Sequence, residues 1–284
     1  MEASWKFERK RRSQKSRDPM QASFFTNASI DEDAQALIRE LIQNSLDAKA
    51  NPASQEPVRV RLSIGKHEPE SGVMRRYIPE KAWKHFSAED NGLEAPPCPS
   101  DPCRFLVYED FNTCGLIGDE KVNDEQPGNS FYYFMRAEGQ SGKQDGVRGR
   151  HGIGKYVVPK ASGIRTFIAV TVRSTDQRCL IAGQSVLKSH HVDGVAYTPD
   201  AWWGVFDEDE GGDDYFPMPV ESEALFNQIV ENFGLARDRK KTGLSLIMPY
   251  VQEDISVKTL SKYVVNEYFW PILNGQLLVE VAEV

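Results

Sequence analysis

The chain has 284 residues, of which 40% are hydrophobic and 27% are charged, and a formal net charge of −8. This composition is typical of a soluble globular protein and excludes a collagen-like repeat, a disordered chain and a small disulfide-stapled domain. An acidic chain also lacks the basic surface of a protein that binds nucleic acid over all its faces. Four cysteines, no secretory leader and no run of 18 apolar residues predict a reduced, cytoplasmic protein without membrane contact.

Positive charge is concentrated at the start of the chain. Residues 1–17 hold seven lysines and arginines against two glutamates, which gives this segment +5 and leaves −13 for the rest. We expect residues 1–25 to form a solvated, mobile arm. The alternative is an arm that binds phosphate groups, which makes nucleic acid a candidate partner.

Helical and strand patterns follow the arm. Apolar residues at helical spacing predict a first helix over residues 30–50, and strict alternation predicts a strand over 58–64. A proline-rich loop over 89–102 precedes a second short strand over 104–108. The glycine-rich stretch 115–150 indicates a long, partly mobile connection, and long loops of this kind are usually functional.

The second half of the chain predicts further elements of both types. A short helix is expected near residue 154, and the other elements are strands over 164–173, 178–187, 244–248 and 276–281 and helices over 221–233 and 257–269. His190 and His191 have no partner at metal-ligand spacing and are expected at the surface. The mixture predicts an α+β fold, a two-layer α/β sandwich in which helices cover a mixed, mostly antiparallel sheet.

Three polar residues of the first helix lie on one stripe. Glu40, Asn44 and Asp47 are spaced four and three residues apart, so their side chains project in the same direction. Taken alone, this spacing is that of an ordinary solvent-exposed helix face.

Two loop segments could form a binding site. Asp110 follows the second predicted strand and precedes Asn112 and Gly115, which suits either a pocket floor or a simple strand-to-loop turn. The segment 149–155, with sequence GRHGIGK, precedes a predicted helix, and backbone N–H groups at a helix start bind anions. It matches neither a Walker A loop nor a dinucleotide fingerprint.

In this order the three segments resemble the GHKL superfamily, which includes the ATPases of DNA gyrase, heat-shock chaperones of the ninety-kilodalton class, sensor histidine kinases and MutL. Residues 40–48 match its ExxxNxxDA box, the Asp110 segment stands where the family has DxGxG, and residues 149–155 resemble its GxxGxG lid motif. Thr242, just ahead of a predicted strand, resembles the fourth box.

The resemblance covers residues 30–283 and implies a Bergerat fold. It implies an ATP-binding domain over residues 26–284, with a lid over about 115–155, as part of a longer protein. One position departs from the family pattern, because Gly115 follows Asp110 by five residues where the family glycine follows by four. We expect Asn112 to replace a glycine in a left-handed conformation, while the backbone role of Gly115 stays open.

The resemblance also implies a role for each matched residue. Glu40 would activate the attacking water as a general base, and Asn44 would bind Mg²⁺. Asp110 would accept a hydrogen bond from the adenine amino group, supported by Thr242. The other implied nucleotide-binding residues are Asp47, Asn112, Gly115, Arg150, His151, Gly152, Ile153, Gly154 and Lys155.

The implied function is Mg²⁺-dependent ATP hydrolysis that drives lid closure and homodimerisation and so gates the activity of a larger protein, in defence or nucleic-acid processing. A histidine kinase is disfavoured, because no histidine precedes His67 and Glu40 favours water as the acceptor. The alternative is a non-hydrolysing, ATP-gated module that binds nucleic acid or a protein partner.

Overall fold

A computed structural model of the protein describes residues 2–20, 33–137, 156–208 and 215–284. The strands are β1 Ser4–Arg9, β2 Val58–His67, β3 Cys103–Phe111, β4 Thr166–Val172, β5 Cys179–Val186, β6 His190–Val192, β7 Val195–Glu208, β8 Tyr215–Met218, β9 Gly243–Pro249 and β10 Leu277–Glu283. The helices are α1 Asp33–Asp47, α2 Val73–Tyr77, α3 Glu80–Phe86, α4 Ser130–Met135, α5 Val157–Lys160, α6 Glu223–Phe233 and α7 Val257–Leu273. Over these ranges, no helix has both the length and the apolar character that crossing a membrane requires.

The strands of the described residues form one large sheet. Their order is β1-β7-β5-β4-β9-β3-β2-β10, and β6 and β8 also pair with β7. Every pairing is antiparallel except that of β10 with β2. The prediction of a mixed, mostly antiparallel sheet covered by helices is therefore confirmed.

Helices pack on both faces of this sheet, because successive strand side chains point to opposite sides. Helices α1, α4, α5 and α7 cover one face, where they meet strand residues such as Leu62, Leu106 and Leu246. Helices α2, α3 and α6 cover the other, against residues such as Val107 and Ile247. Strands β4 and β9 are buried along their whole length, which explains why their sequences are mostly apolar and do not alternate with charged residues.

Most predicted elements are confirmed with small shifts of boundary. Helix α1 begins within the predicted range, although residues 30–32 lie outside the described residues. The second predicted strand runs three residues further, to Phe111, so Glu109 and Asp110 belong to strand β3. The sequence analysis missed helices α2, α3 and α4 and strands β1, β6, β7 and β8.

The N-terminal segment is part of the sheet, so the prediction of a mobile arm is wrong for residues 4–9. Strand β1 pairs antiparallel with β7 at the edge of the sheet. Trp5 Nε1 donates a hydrogen bond to the Tyr77 carbonyl at 2.6 Å. The Phe7 ring stacks on His85, with ring centroids 3.6 Å apart. These aromatic side chains bury one face of β1 and hold it in place.

His190 is buried, which corrects its predicted surface location, whereas His191 is exposed. Nδ1 of His85 lies 2.9 Å from Nε2 of His190, and Nδ1 of His190 lies 2.8 Å from the Lys188 carbonyl oxygen. Burial, assisted by the neighbouring His190, lowers the pKa of His85 from 6.5 to about 4. Burial also lowers the pKa of His190. Both rings are therefore neutral at pH 7.

This histidine pair predicts a loss of stability in mild acid. A group whose folded pKa lies below its unfolded pKa stabilises the protein fully above the unfolded value, and this contribution disappears as the pH falls. For His85 the loss begins near pH 6.5 and continues towards pH 4, for a total of about 3 kcal/mol.

Denaturant unfolding at pH 7.5 and pH 4.5 measures this effect. We expect His85→Gln to lower the free energy of unfolding at pH 7.5 but to flatten its decrease with acid. The matched control is His191→Gln, which removes an exposed ring. An unchanged acid dependence in His85→Gln would contradict the assignment.

Candidate functional site

Two of the three polar residues on α1 are in direct contact. The helix forms because its leucine and isoleucine side chains are buried against the sheet, which leaves Glu40 and Asn44 half-buried at the border of this face. Asn44 Nδ2 donates a hydrogen bond to Glu40 Oε1 at 2.8 Å. Asp47 is exposed and accepts a hydrogen bond from Gln43 Nε2 at 2.8 Å. The structure therefore pairs Glu40 with Asn44 and leaves Asp47 at the exposed end of the helix.

The Asp110 carboxylate is buried, with 4% of the residue exposed, and joins three separate segments. Oδ1 accepts hydrogen bonds from Thr113 Oγ1 at 2.6 Å and from the Leu244 backbone N–H at 2.7 Å. Oδ2 accepts one from Ser45 Oγ at 2.6 Å. Through these bonds the end of β3 is tied to α1, to its own following loop and to β9.

Ser45 places the Glu40–Asn44 pair beside Asp110, because it is the next residue after Asn44. Its hydroxyl oxygen lies 2.7 Å from the hydroxyl oxygen of Tyr108, and the Tyr108 hydroxyl is 3.0 Å from the Leu41 carbonyl oxygen, to which it can donate. Tyr108 is fully enclosed, and burial raises its pKa, so it remains a protonated donor. Helix α1 thus has a fixed position over the end of β3.

Backbone segments approach closely around Asp110 at positions where the chain has glycine. Gly243 has a φ of +138°, and a Cβ there would lie 2.3 Å from the Asp110 carbonyl oxygen. Gly115 has a φ of +66°, and a Cβ there would lie 2.6 Å from both Thr171 Oγ1 and the Val172 carbonyl oxygen. The role of Gly115 that the sequence left open is therefore close packing against β4.

Asn112 adopts the left-handed conformation expected of it, with a φ of +65°. Its side-chain Nδ2 donates a hydrogen bond to the Pro57 carbonyl at 2.8 Å. Asn112 thereby fastens the loop after β3 to the start of β2.

A second buried carboxylate, Glu109, lies on the opposite face of β3. It accepts hydrogen bonds from Arg61 Nη1 at 3.0 Å, from the Ala236 N–H at 2.8 Å and from Ser245 Oγ at 3.1 Å. Nearby, the guanidinium of Arg237 donates hydrogen bonds to three backbone carbonyls. They belong to Asp110, to Lys241 just before β9, and to Leu244 in β9. This network holds the backbone under Asp110 from the side opposite α1.

The two ends of the segment 115–137 are packed against the protein, whereas residues 121 and 123–128 between them are exposed. Leu116, Phe131 and Met135 are buried in the core. The buried Glu120 carboxylate pairs with Arg173 at 2.9 Å and with Arg178 at 2.7 Å. The two ion pairs of Glu120 anchor the first half of the predicted lid to the turn between β4 and β5.

The remaining predicted residues divide into two groups. Thr242 is half-buried, two residues before the Leu244 N–H that binds Asp110, and its side chain makes no hydrogen bond to the described residues. The other group lies outside the described residues and consists of Arg150, His151, Gly152, Ile153, Gly154 and Lys155.

Sequence reasoning missed the residues that hold Asp110 in place. Thr113 has a recognisable signal, because a hydroxyl residue shortly after a strand-end aspartate is typical of a turn. Ser45 could have been suspected because it lies within the polar box of α1. Arg237 has no such signal, since it is one of several basic residues in a polar stretch.

We expect loss of the Asp110 carboxylate to destabilise the fold. Asp110→Ala leaves three buried donors without an acceptor, at about 1–3 kcal/mol each before relaxation, so the free energy of unfolding should fall by about 3–5 kcal/mol. Urea denaturation measures the change. Asp110→Asn, which retains one acceptor oxygen, should lose less. The exposed Asp47→Ala should change stability by less than about 0.5 kcal/mol. A loss below about 1 kcal/mol in Asp110→Ala would show that the network contributes little.

Comparison with protein-family models and with curated proteins finds no match. Three solved structures of topoisomerase II resemble the chain. The ATPase region of the Saccharomyces cerevisiae enzyme bound to ICRF-187 (dexrazoxane) has 10% identity and a TM-score of 0.37, over 87% of this chain and 47% of that one. A second structure of this region has 10% identity and a TM-score of 0.32, over 87% of this chain and 46% of that one. The ATPase and transducer domains of the Balamuthia mandrillaris enzyme have 12% identity and a TM-score of 0.30, over 87% of this chain and 46% of that one. The chain thus spans about half the length of each of these structures.

Proposed function

We propose that this chain is an ATP-binding domain that hydrolyses ATP to ADP and phosphate with Mg²⁺. The observation that carries the proposal is the junction at Ser45. This residue binds Asp110, while its neighbour Asn44 contacts Glu40. A single helix therefore holds a polar pair suited to phosphate chemistry next to an acceptor suited to a nucleobase.

Asp110 can recognise the adenine base. An ionised carboxylate has about four acceptor positions, and hydrogen bonds from the described residues occupy three of them. The fourth position, on Oδ2, suits an amino group such as that of adenine. A base with a carbonyl oxygen at the same place would bring two acceptors together, so this site favours adenine over hypoxanthine.

Glu40 and Asn44 fit the phosphate end of the nucleotide. Magnesium prefers oxygen ligands, and an amide and a carboxylate one helical turn apart supply them. Bound Mg²⁺ neutralises charge on the phosphates. Asn44 would hold the ion, and its hydrogen bond orients the Glu40 carboxylate. Glu40 would accept the proton of a water molecule as the water oxygen bonds to the γ-phosphorus and the bond from phosphorus to the ADP oxygen breaks.

The rest of the proposal rests on the family resemblance of the sequence. Arg150, His151, Lys155 and the backbone of residues 152–154 would bind the phosphates, and Thr242 and Asp47 would line the pocket. Nucleotide binding would close the lid and promote homodimerisation, and so regulate a larger protein.

The base-recognition step predicts a preference between two nucleotides. Inosine triphosphate differs from ATP in having a carbonyl oxygen in place of the amino group. We expect it to bind about 10- to 100-fold more weakly, because a buried acceptor is then left facing another acceptor. Isothermal titration calorimetry with both nucleotides and Mg²⁺ measures the ratio, and equal affinities would contradict the role of Asp110.

The hydrolysis step predicts a separation between binding and turnover. Glu40→Gln keeps the hydrogen-bonding shape but removes the base, so phosphate release should fall by about 10²- to 10⁴-fold while ATP affinity changes little. The matched control is Glu231→Gln, an exposed substitution on α6 that should leave both unchanged.

The outcomes distinguish the two candidate functions. ATP binding without phosphate release by the wild-type protein would support the non-hydrolysing module. Absence of ATP binding would contradict both. A Glu40→Gln rate equal to that of the wild type would remove Glu40 from the mechanism.

A further inference from the structure

Residues 9–17, with sequence RKRRSQKSR, form an ordered turn at the edge of the sheet, which we call the basic turn. Its first half is held by the Lys10 N–H, which donates to the Ala196 carbonyl at 2.8 Å. Its second half is held by Arg17, whose N–H donates to Ser189 Oγ at 2.8 Å and whose carbonyl accepts from the Ser189 N–H at 2.9 Å. The turn therefore presents its side chains from a defined corner of the fold.

Four cations of the basic turn lack a carboxylate partner within the part of the chain that the structure describes. They are Arg9, Arg11, Arg12 and Lys15, and all four are exposed. The nearest carboxylates of the β6–β7 hairpin are already paired, Asp200 with Arg17 at 2.5 Å and Asp193 with Lys84 at 2.9 Å. On a chain with a net charge of −8, these four cations form a region of uncompensated positive charge among the described residues.

The basic turn is remote from the candidate nucleotide site. It lies beyond β1, at one edge of the sheet, whereas Asp110 is on β3, five strand positions away and so at a distance of about 24 Å. Both residues lie at the C-terminal ends of their strands, but β1 and β3 run in opposite directions, so Arg9 and Asp110 are also at opposite ends of the sheet along the strand direction. The phosphates of a nucleotide bound at Asp110 therefore lie out of reach of the turn.

We propose that the basic turn binds the phosphodiester backbone of nucleic acid. Three of its four unpaired cations are arginines, whose planar guanidinium groups match phosphate oxygens in pairs. The exposed Ser13 and Ser16 add hydroxyl groups, which are common phosphate donors. The turn has no apolar side chain that could insert into a membrane. With four phosphate contacts, the logarithm of the binding constant should fall with the logarithm of salt concentration with a slope of about −3 to −4.

Fluorescence anisotropy with a labelled 30-base-pair DNA duplex tests the proposal, without added nucleotide, so the result is independent of ATP binding and hydrolysis. Truncating the chain from its N-terminus through the turn would also remove β1, so charge reversal is the better change. We expect Arg11→Glu with Arg12→Glu to weaken binding at least about 10-fold and to reduce the salt slope by about 2. The same measurement with an RNA duplex shows which nucleic acid binds more tightly.

The matched control is Arg75→Glu with Arg76→Glu, an adjacent pair of exposed arginines on α2. This variant carries the same net charge as the turn variant and should retain most of the affinity. Circular dichroism should show that both variants are folded. Three results would overturn the proposal: no binding by the wild-type protein, equal losses in the two variants, or equally tight, turn-dependent binding of poly-glutamate, which would indicate an acidic protein partner.

Discussion

The buried charge of Asp110 is the constraint on which the arrangement of the candidate site depends. A carboxylate removed from water is costly unless it is hydrogen-bonded, and here three donors compensate it. These donors come from α1, from the loop after β3 and from the start of β9. Because all three must meet at one side chain, the relative positions of these segments are restricted. The Ser45–Asp110 hydrogen bond also positions the Glu40–Asn44 pair, because Ser45 directly follows Asn44 on the same helix.

The strand beneath this carboxylate is held equally firmly from the other face. Glu109 and Asp110 are consecutive residues of β3, so their side chains point to opposite sides of the sheet. Glu109 accepts hydrogen bonds from Arg61 and Ser245, and Arg237 donates one to the backbone carbonyl of Asp110 itself. Two buried polar networks therefore meet at one strand end, and β2 and β9 flank that strand. A site built on such an end is well suited to hold a ligand in one orientation.

Charge is distributed unevenly over the sheet, and this separates the two proposed binding regions. The proposed nucleotide site contains the buried Asp110 and the half-buried Glu40, each with a hydrogen-bond partner. The basic turn has exposed cations at the opposite corner. The sheet between them is continuous and packed by helices on both faces. The two proposed binding regions are therefore separate from each other on one continuous sheet.

The sequence by itself determined the local features. Side-chain spacing along the chain predicts the polar stripe of α1 and the strand that contains Asp110. The conformational preference of a single residue predicts the left-handed Asn112. Both are local properties of the sequence. For the same reason, most of the helices and strands could be predicted to within a few residues.

Only the tertiary structure decided which distant segments meet. Strand β1 exists because β7, almost two hundred residues later, supplies its hydrogen bonds, so its charged sequence alone indicated a mobile arm. His190 is buried because α3 and β1 cover it. Ser45, Thr113 and Arg237 become part of the site only when α1, β3 and β9 converge. Burial and long-range hydrogen bonding are properties of the packed fold, and no local pattern in the sequence encodes them.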